Sequence, residues 1–172
     1  MRLTSTGAPD GTSALQAYGL GTLFGLPREA VDESPEAVVL GVPFDTGRNG
    51  YRIGSRLGPD HVRSCNPPDR RHLFGADRDV LADLRVVDWG NVATTAGDIK
   101  QTHALIYAAT CDVHDLGAVP VAMGGDGSVT LPQLRAAARR HGQLAVIHCD
   151  AHTDAYDIAG TGPYTTSTTF LR

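Results

Sequence analysis

Four short apolar runs, "AVVLGVPF" (37–44), "LRVVDWG" (84–90), "VPVAMGG" (119–125) and "LAVIHCD" (144–150), each lead into glycine or aspartate. Continuous apolar runs of this length read as strands buried on both faces of a parallel sheet. Between them lie stretches with helical spacing, "DIKQTHALIYAATCDVHDLG" (98–117) and "LPQLRAAARRHG" (131–142). Asp98 is placed to cap the first of these and Gly117 to end it. Thr130 is placed to cap the second, Pro132 suits its first turn, and Arg139, Arg140 and His141 sit where the helix dipole favours positive charge. Strand, helix, strand in this order requires right-handed crossovers with helices on the sheet faces. The expected fold class is α/β with a mostly parallel sheet.

At 172 residues and 41% hydrophobic, the chain holds enough apolar material for one core. The pattern divides it into an irregular arm over 1–36 and a domain over 37–172. Fifteen Lys and Arg against nineteen Asp and Glu give a net charge of -4 without long runs, which disfavours nucleic acid and anionic membranes as partners and favours a small molecule. Three cysteines in no C-x-x-C spacing indicate neither a disulfide framework nor a thiolate zinc site, and point to a reducing, cytoplasmic setting. No basic leader is present, and no stretch approaches the roughly 18 apolar residues of a membrane span.

The chemistry concentrates in "AVIHCDAHTDAY" (145–156), where Asp150, His152 and Asp154 are spaced two apart. On an extended segment they would project from one face about 6 to 7 Å apart, a set that suits a hard or borderline cation. Manganese, magnesium, zinc and nickel all accept carboxylate and imidazole, and spacing does not choose among them. The position favours a site, because open α/β sheets bind ligands at the carboxyl ends of their strands. The same residues would also serve as turn and cap hydrogen-bonders with a solvated histidine. Upstream, "VPVAMGGDGSVTLPQLR" places Gly124 and Gly125 after a strand and before a helix, where glycine permits a sharp turn and close backbone approach.

"GGDGS" is similar to the phosphate-binding turn of NAD kinases and diacylglycerol-type lipid kinases, which would imply nucleotide-phosphate binding. "GGDGSVT" also resembles the GGDHS[ILV]T motif of the ureohydrolases, the family of arginase, agmatinase and formimidoylglutamase. Three further blocks follow that second resemblance in order. "GVPFDTGRNGYRIGSRLGPDHVR" (41–63) resembles the family's G-x-P-x-D…R-x-G…G-P-x-x-[IV]-R block, and "VVDWGNV" (86–92) its D-x-G-D-[IV] strand end. "AVIHCDAHTD" (145–154) resembles its D-A-H-x-D metal motif. The chain is identified on these four motifs as an agmatinase-like member, truncated and degenerate.

The resemblance implies the N-terminal part of an arginase-like three-layer α/β/α sandwich. It also implies two metal ions, usually manganese, bridged by a hydroxide that attacks a guanidinium carbon to release urea. Asp150, His152 and Asp154 are the ligands it carries over, with His148 at a place the family often fills with histidine without using it as a ligand. Asp126, Gly124, Gly125 and Asp45 are expected to support the site. Gly47, Arg52 and Gly54 are expected to form loops, Trp89 and Cys149 to lie in the core, and His61, His72, His103, His114 and His141 at the surface.

Several positions depart from the family. Gly127 stands where the family has a ligand histidine, Thr166 where agmatinase-like members have a loop histidine, and Asn91 where an aspartate is usual. Two further family aspartates belong to a later S-x-D-x-D-x-x-D-P block outside these 172 residues, leaving three of the usual six ligands. The expectations are therefore at most one weakly bound manganese and absent or weak hydrolysis of a small guanidino substrate by this chain alone. The alternative is a non-catalytic subunit or fragment completed by a full-length homologue. Homo- or hetero-oligomers would cover the sheet edge and apolar surface of such a half.

Overall fold

The computed structural model describes residues 21–29, 34–46, 53–66, 79, 81–157 and 162–172. Much of the 1–36 arm, together with Gly47, Arg52 and His72, lies outside the described residues.

Three of the four apolar runs form strands: β1 (Ala37–Val42), β2 (Val86–Asn91) and β3 (Val119–Gly124), all parallel in the order β2-β1-β3. The central strand β1 is buried from Val38 to Val42. Its side chains alternate across the sheet, as a period of two requires. Val38 and Leu40 pack with Val87, Val113 and Ala118, and Val42 with Phe44, Ile106 and Val129. The helix α2 (Ile99–Asp115) covers this face, and α3 (Thr130–His141) packs beside α2. On the opposite face lies α1 (Gly58–Cys65), whose Arg63 reaches Asp88 of β2. Helices on both faces of a parallel sheet make the expected three-layer arrangement. Burial of side chains such as Val38, Ile106 and Val113 stabilises it by about 1.5–3 kcal/mol each.

The helix signals are met in part. Asp98 caps α2 by accepting the Gln101 N–H at 2.9 Å, and Gly117 follows the helix with φ 78°. Thr130 does not cap α3 but is its first residue, because a 3-10 turn at Gly127–Val129 runs straight into the helix. The capping role moves upstream to Asp126, whose side chain accepts the Ser128 N–H at 3.0 Å.

The fourth run departs from expectation. Residues 144–149 form neither helix nor strand and are largely exposed, with Ile147 93% exposed. A strand is maintained by its ladder, and among the described residues β3 pairs only with β1. Among the described residues the far edge of β3 has no partner, and Val119 and Val121 are exposed, so this strand is not buried on both faces. Cys149 in the unpaired run is likewise exposed rather than in the core, while Trp89 packs against the core.

His103 and His114 are buried, not at the surface. They share the inward face of α2 with Ile106, Thr110 and Val113, a helical spacing that places them in the core whether or not they have partners at metal-ligand spacing. Among the described residues no helix is long and apolar enough to cross a membrane.

Candidate metal centre

Because β1 and β3 are adjacent and parallel, their carboxyl ends deliver two loops to the same place. The loop after β1 carries Asp45 and Thr46, and the turn after β3 is Gly124-Gly125-Asp126-Gly127. The two loops are bonded together. Gly125 N–H donates to the Val42 carbonyl at 3.1 Å, and Asp126 N–H to the Phe44 carbonyl at 3.0 Å. The approach is so close that a Cβ at position 125 would lie 1.7 Å from the Phe44 carbonyl oxygen, so only glycine fits.

Asp126 is the main tie. One carboxylate oxygen accepts from the Thr46 N–H at 2.7 Å and the Thr46 hydroxyl at 2.8 Å, and the other from the Ser128 N–H and hydroxyl. Gly124 packs tightly as well, since a Cβ there would meet Val129 Cγ2 at 3.2 Å. Asp45 is buried and held by Arg56, which donates Nε to one carboxylate oxygen at 2.8 Å and Nη2 to the other. Those side-chain bonds foremost, with the Arg56 and Gly54 backbone N–H groups, hold the Asp45 carboxyl well below the usual carboxylate range despite its burial. Gly54, at φ 111°, makes the turn that brings its N–H to this carboxylate.

Against these loops stand Asp150 and Asp154. Ligand atoms of His148, Asp150 and Asp154 all lie within 4.8 Å of one another. The three line a cavity of about 340 Å³ together with Asp126, Gly127 and Thr166.

The path of the chain here is not extended. Asp150 accepts the His152 N–H at 2.9 Å, and Asp154 adopts a left-handed φ of 47°. The expected projection of residues 150, 152 and 154 from one face is therefore replaced by a turn. His152 stays outside the three-donor group: its Nδ1 lies 3.4 Å from Asp150, and its ring is well exposed. His148 stands in the group instead. Its place two residues before Asp150 continues the same alternate spacing, which is the signal that could have drawn it into the set.

The two carboxylates are shifted in opposite directions. The His152 backbone N–H is the chief cause lowering the pKa of Asp150. Burial, and then the charge of Asp150, raises that of Asp154. Ionising both side by side is costly, and a cation between them would remove that cost.

The wall opposite is the 3-10 turn Thr166–Leu171, begun by reciprocal bonds between Thr165 and Thr168. Phe170 N–H donates to the Asp154 carbonyl at 2.9 Å and Tyr156 N–H to the Ser167 carbonyl at 2.9 Å, clamping the cluster loop to this turn. Thr166 brings no group that titrates near neutral pH. Asn91, the milder departure, accepts from Arg63 and donates to Asp60 at 2.8 Å.

A divalent cation fits the three donors as a partial shell of two carboxylates and an imidazole. The other carboxylates lining the cavity, Asp45 and Asp126, are taken up by Arg56, Thr46 and Ser128, so the cluster of His148, Asp150 and Asp154 is the one group of three candidate donors among the described residues. The turn is also poorly suited to phosphate. The N–H groups of Gly125, Asp126, Ser128 and Val129 are all directed to protein acceptors.

A family model described as "Arginase family" matches residues 35–172. The chain is 32% identical over 151 residues to "Agmatinase, mitochondrial" of Gallus gallus, covering 88% of this chain and 44% of that protein. Among solved structures it is similar to proclavaminate amidino hydrolase from Streptomyces clavuligerus, with TM-score 0.72 and 29% identity over 88% of this chain and 50% of that one. It is also similar to Trypanosoma cruzi formiminoglutamase with Mn2+2, with TM-score 0.71 and 27% identity over 87% of this chain and 51% of that one. The chain thus spans about half the length of the relatives it matches.

Proposed function

The chain belongs to the arginase family, and from that premise we propose that it is an agmatinase-like ureohydrolase domain over the part of its relatives' length that it spans. Its own residues hold one divalent cation, and by itself it hydrolyses guanidino compounds weakly or not at all. The observation that carries this is the meeting of His148, Asp150 and Asp154 across one cavity from the GGDG turn. Manganese is the ion proposed, supported by its presence with the Trypanosoma cruzi relative. His152, placed 3.4 Å from Asp150, is near enough to orient that carboxylate. A cation bound here would supply Lewis-acid activation of water.

The protein groups around it are incomplete for the family's reaction, hydrolysis of a guanidino C–N bond with release of urea. Gly127 offers no donor and Thr166 no proton carrier. Three free cysteines support a reducing, cytoplasmic setting, and a net charge of -4 supports a small-molecule partner over nucleic acid or membrane.

The test is urea release from agmatine, arginine and guanidinobutyrate with added manganese. We expect rates on the order of 10³-fold or more below a full-length agmatinase in the same assay, because catalytic groups that act as a unit lose most of their effect when some are missing. Gly127→His alone should not restore activity. Turnover within tenfold of the full-length enzyme would show the site to be sufficient as it stands.

A second reading, a non-catalytic subunit or segment completed by the other half of an arginase-family domain, is favoured by one observation. Among the described residues the outer edge of β3 has no partner strand, and residues 144–149 form no strand and are largely exposed. Between β3, α2 and α3 runs a groove of about 520 Å³ lined by Pro120, Ala122, Leu134 and Ala137, an apolar bed for an added strand.

A further inference from the structure

One three-donor cluster lies among the described residues, and we propose that a further donor beside it is excluded sterically: the Thr166 methyl group keeps side chains out of position 127. The inference rests on the ureohydrolase reading only for what position 127 would otherwise do. A Cβ built on Gly127 would lie 2.7 Å from Thr166 Cγ2 and 3.6 Å from Thr166 Cβ. It would also lie 3.5 Å from Asp154 Oδ2, so a side chain there would start beside the metal cluster. The backbone is not the obstacle, because Gly127 is not among the glycines with positive φ. A single methyl group is.

The backbone carrying Thr166 is not free to withdraw. Its turn is fixed on one side by the Thr165–Thr168 bonds and on the other by Thr169, whose hydroxyl donates to the Gly127 carbonyl at 3.1 Å. Thr168 and Thr169 are buried. A β-branched side chain also has restricted rotation about its first torsion. The absence of a side chain at 127 and the presence of the methyl at 166 therefore form one complementary pair. Position 127 accepts a larger residue only after position 166 has been cut back. Thr166→Ala does that cleanly, since it deletes Cγ2 and leaves Cβ at 3.6 Å, an ordinary contact.

The test is a thermal double-mutant cycle in chelator, with Gly127→Ala, Thr166→Ala and both together. Gly127→Ala alone should lower Tm by roughly 3 to 10 °C through overpacking. In the Thr166→Ala background the same change should cost less than half as much. If Gly127→Ala fails to fold, the double variant should recover soluble, cooperatively unfolding protein. Equal losses in both backgrounds, no loss in either, or failure of both to fold would overturn the pairing.

The cycle in chelator involves no metal, so it stands apart from the ureohydrolase reading. That reading is tested separately by comparing the manganese-induced Tm rise of Gly127→His/Thr166→Ala with that of Thr166→Ala. A larger rise with the added imidazole supports it. An equal rise beside an intact pairing in chelator would overturn the assignment of position 127 to the metal centre, while the steric pair stood.

Discussion

Gly125→Ala is expected to lower Tm by roughly 8 °C or more. The added Cβ would lie 1.7 Å from the Phe44 carbonyl oxygen, a backbone atom, and both residues follow closely on strands joined by ladder bonds. Reaching van der Waals contact requires the two segments to move roughly 1.5 Å further apart. That movement strains three bonds that join the loops: Gly125 N–H to Val42, Asp126 N–H to Phe44, and Thr46 N–H to Asp126. A steric insertion that also strips buried hydrogen bonds belongs with the most damaging single changes, about 4 kcal/mol or more. Against a total stability of about 5–15 kcal/mol, that removes most of the margin at the low end of the range and a quarter or more at the high end. Thermal unfolding followed by circular dichroism decides it, and a Tm within about 3 °C of wild type would show that the loops are not in contact as described.

Arg63→Leu is expected to cost about 3–5 kcal/mol, because it leaves a buried carboxylate without its cation. Asp88 is fully buried, and Arg63 spans it with Nε and Nη2 donating at 2.8 Å each while also reaching the Gly90 carbonyl at 3.1 Å. Burial pushes the Asp88 carboxyl up. The Arg63 bonds and the Leu23 and Gly90 N–H groups more than offset that and leave it below its ordinary value.

A folded-state pKa below the unfolded one gives stability that is present above the unfolded value, about 3.9, and is lost as pH falls through the folded value. Without Arg63 the folded pKa of Asp88 rises. The deficit of Arg63→Leu relative to wild type should therefore be largest near neutral pH and shrink as acid protonates Asp88. Denaturant unfolding at pH 7 and pH 4 measures both. Arg63→Lys should recover only part of the loss, since an ammonium cannot span both oxygens. A deficit that is small, or that grows toward pH 4, would contradict the paired carboxylate.

The parts of the fold that were legible in sequence are those whose local pattern and tertiary surroundings agree. The run 37–44 is apolar because β1 is enclosed by a strand on each side and helices on both faces. Asp98 and Gly117 bound α2 through bonds and dihedral angles confined to a few residues. The run 144–150 has the same apolar character, yet no strand forms there. Strandedness is supplied by a neighbour, and none is among the described residues.

The candidate site divides along similar lines. That Asp150 and Asp154 come together beside the GGDG turn follows from parallel strands ending on one side of a sheet. Which histidine joins them depends on a left-handed Asp154 and on Phe170 bonding its carbonyl, and neither is encoded in the spacing of "HCDAHTD". The opposition of Gly127 and Thr166 was visible only as two separate departures from a family pattern. Their contact is made by segments 39 residues apart in sequence (166 minus 127), brought together by packing.

The most direct measurement is calorimetric titration of the metal-free chain with manganese. At most one ion per chain should bind, weakly, and Asp154→Asn should abolish the heat by removing a charged donor from the three-donor cluster. Two tightly held ions per chain, or a single ion that survives loss of both Asp150 and Asp154, would contradict a one-cation centre at this place in the fold.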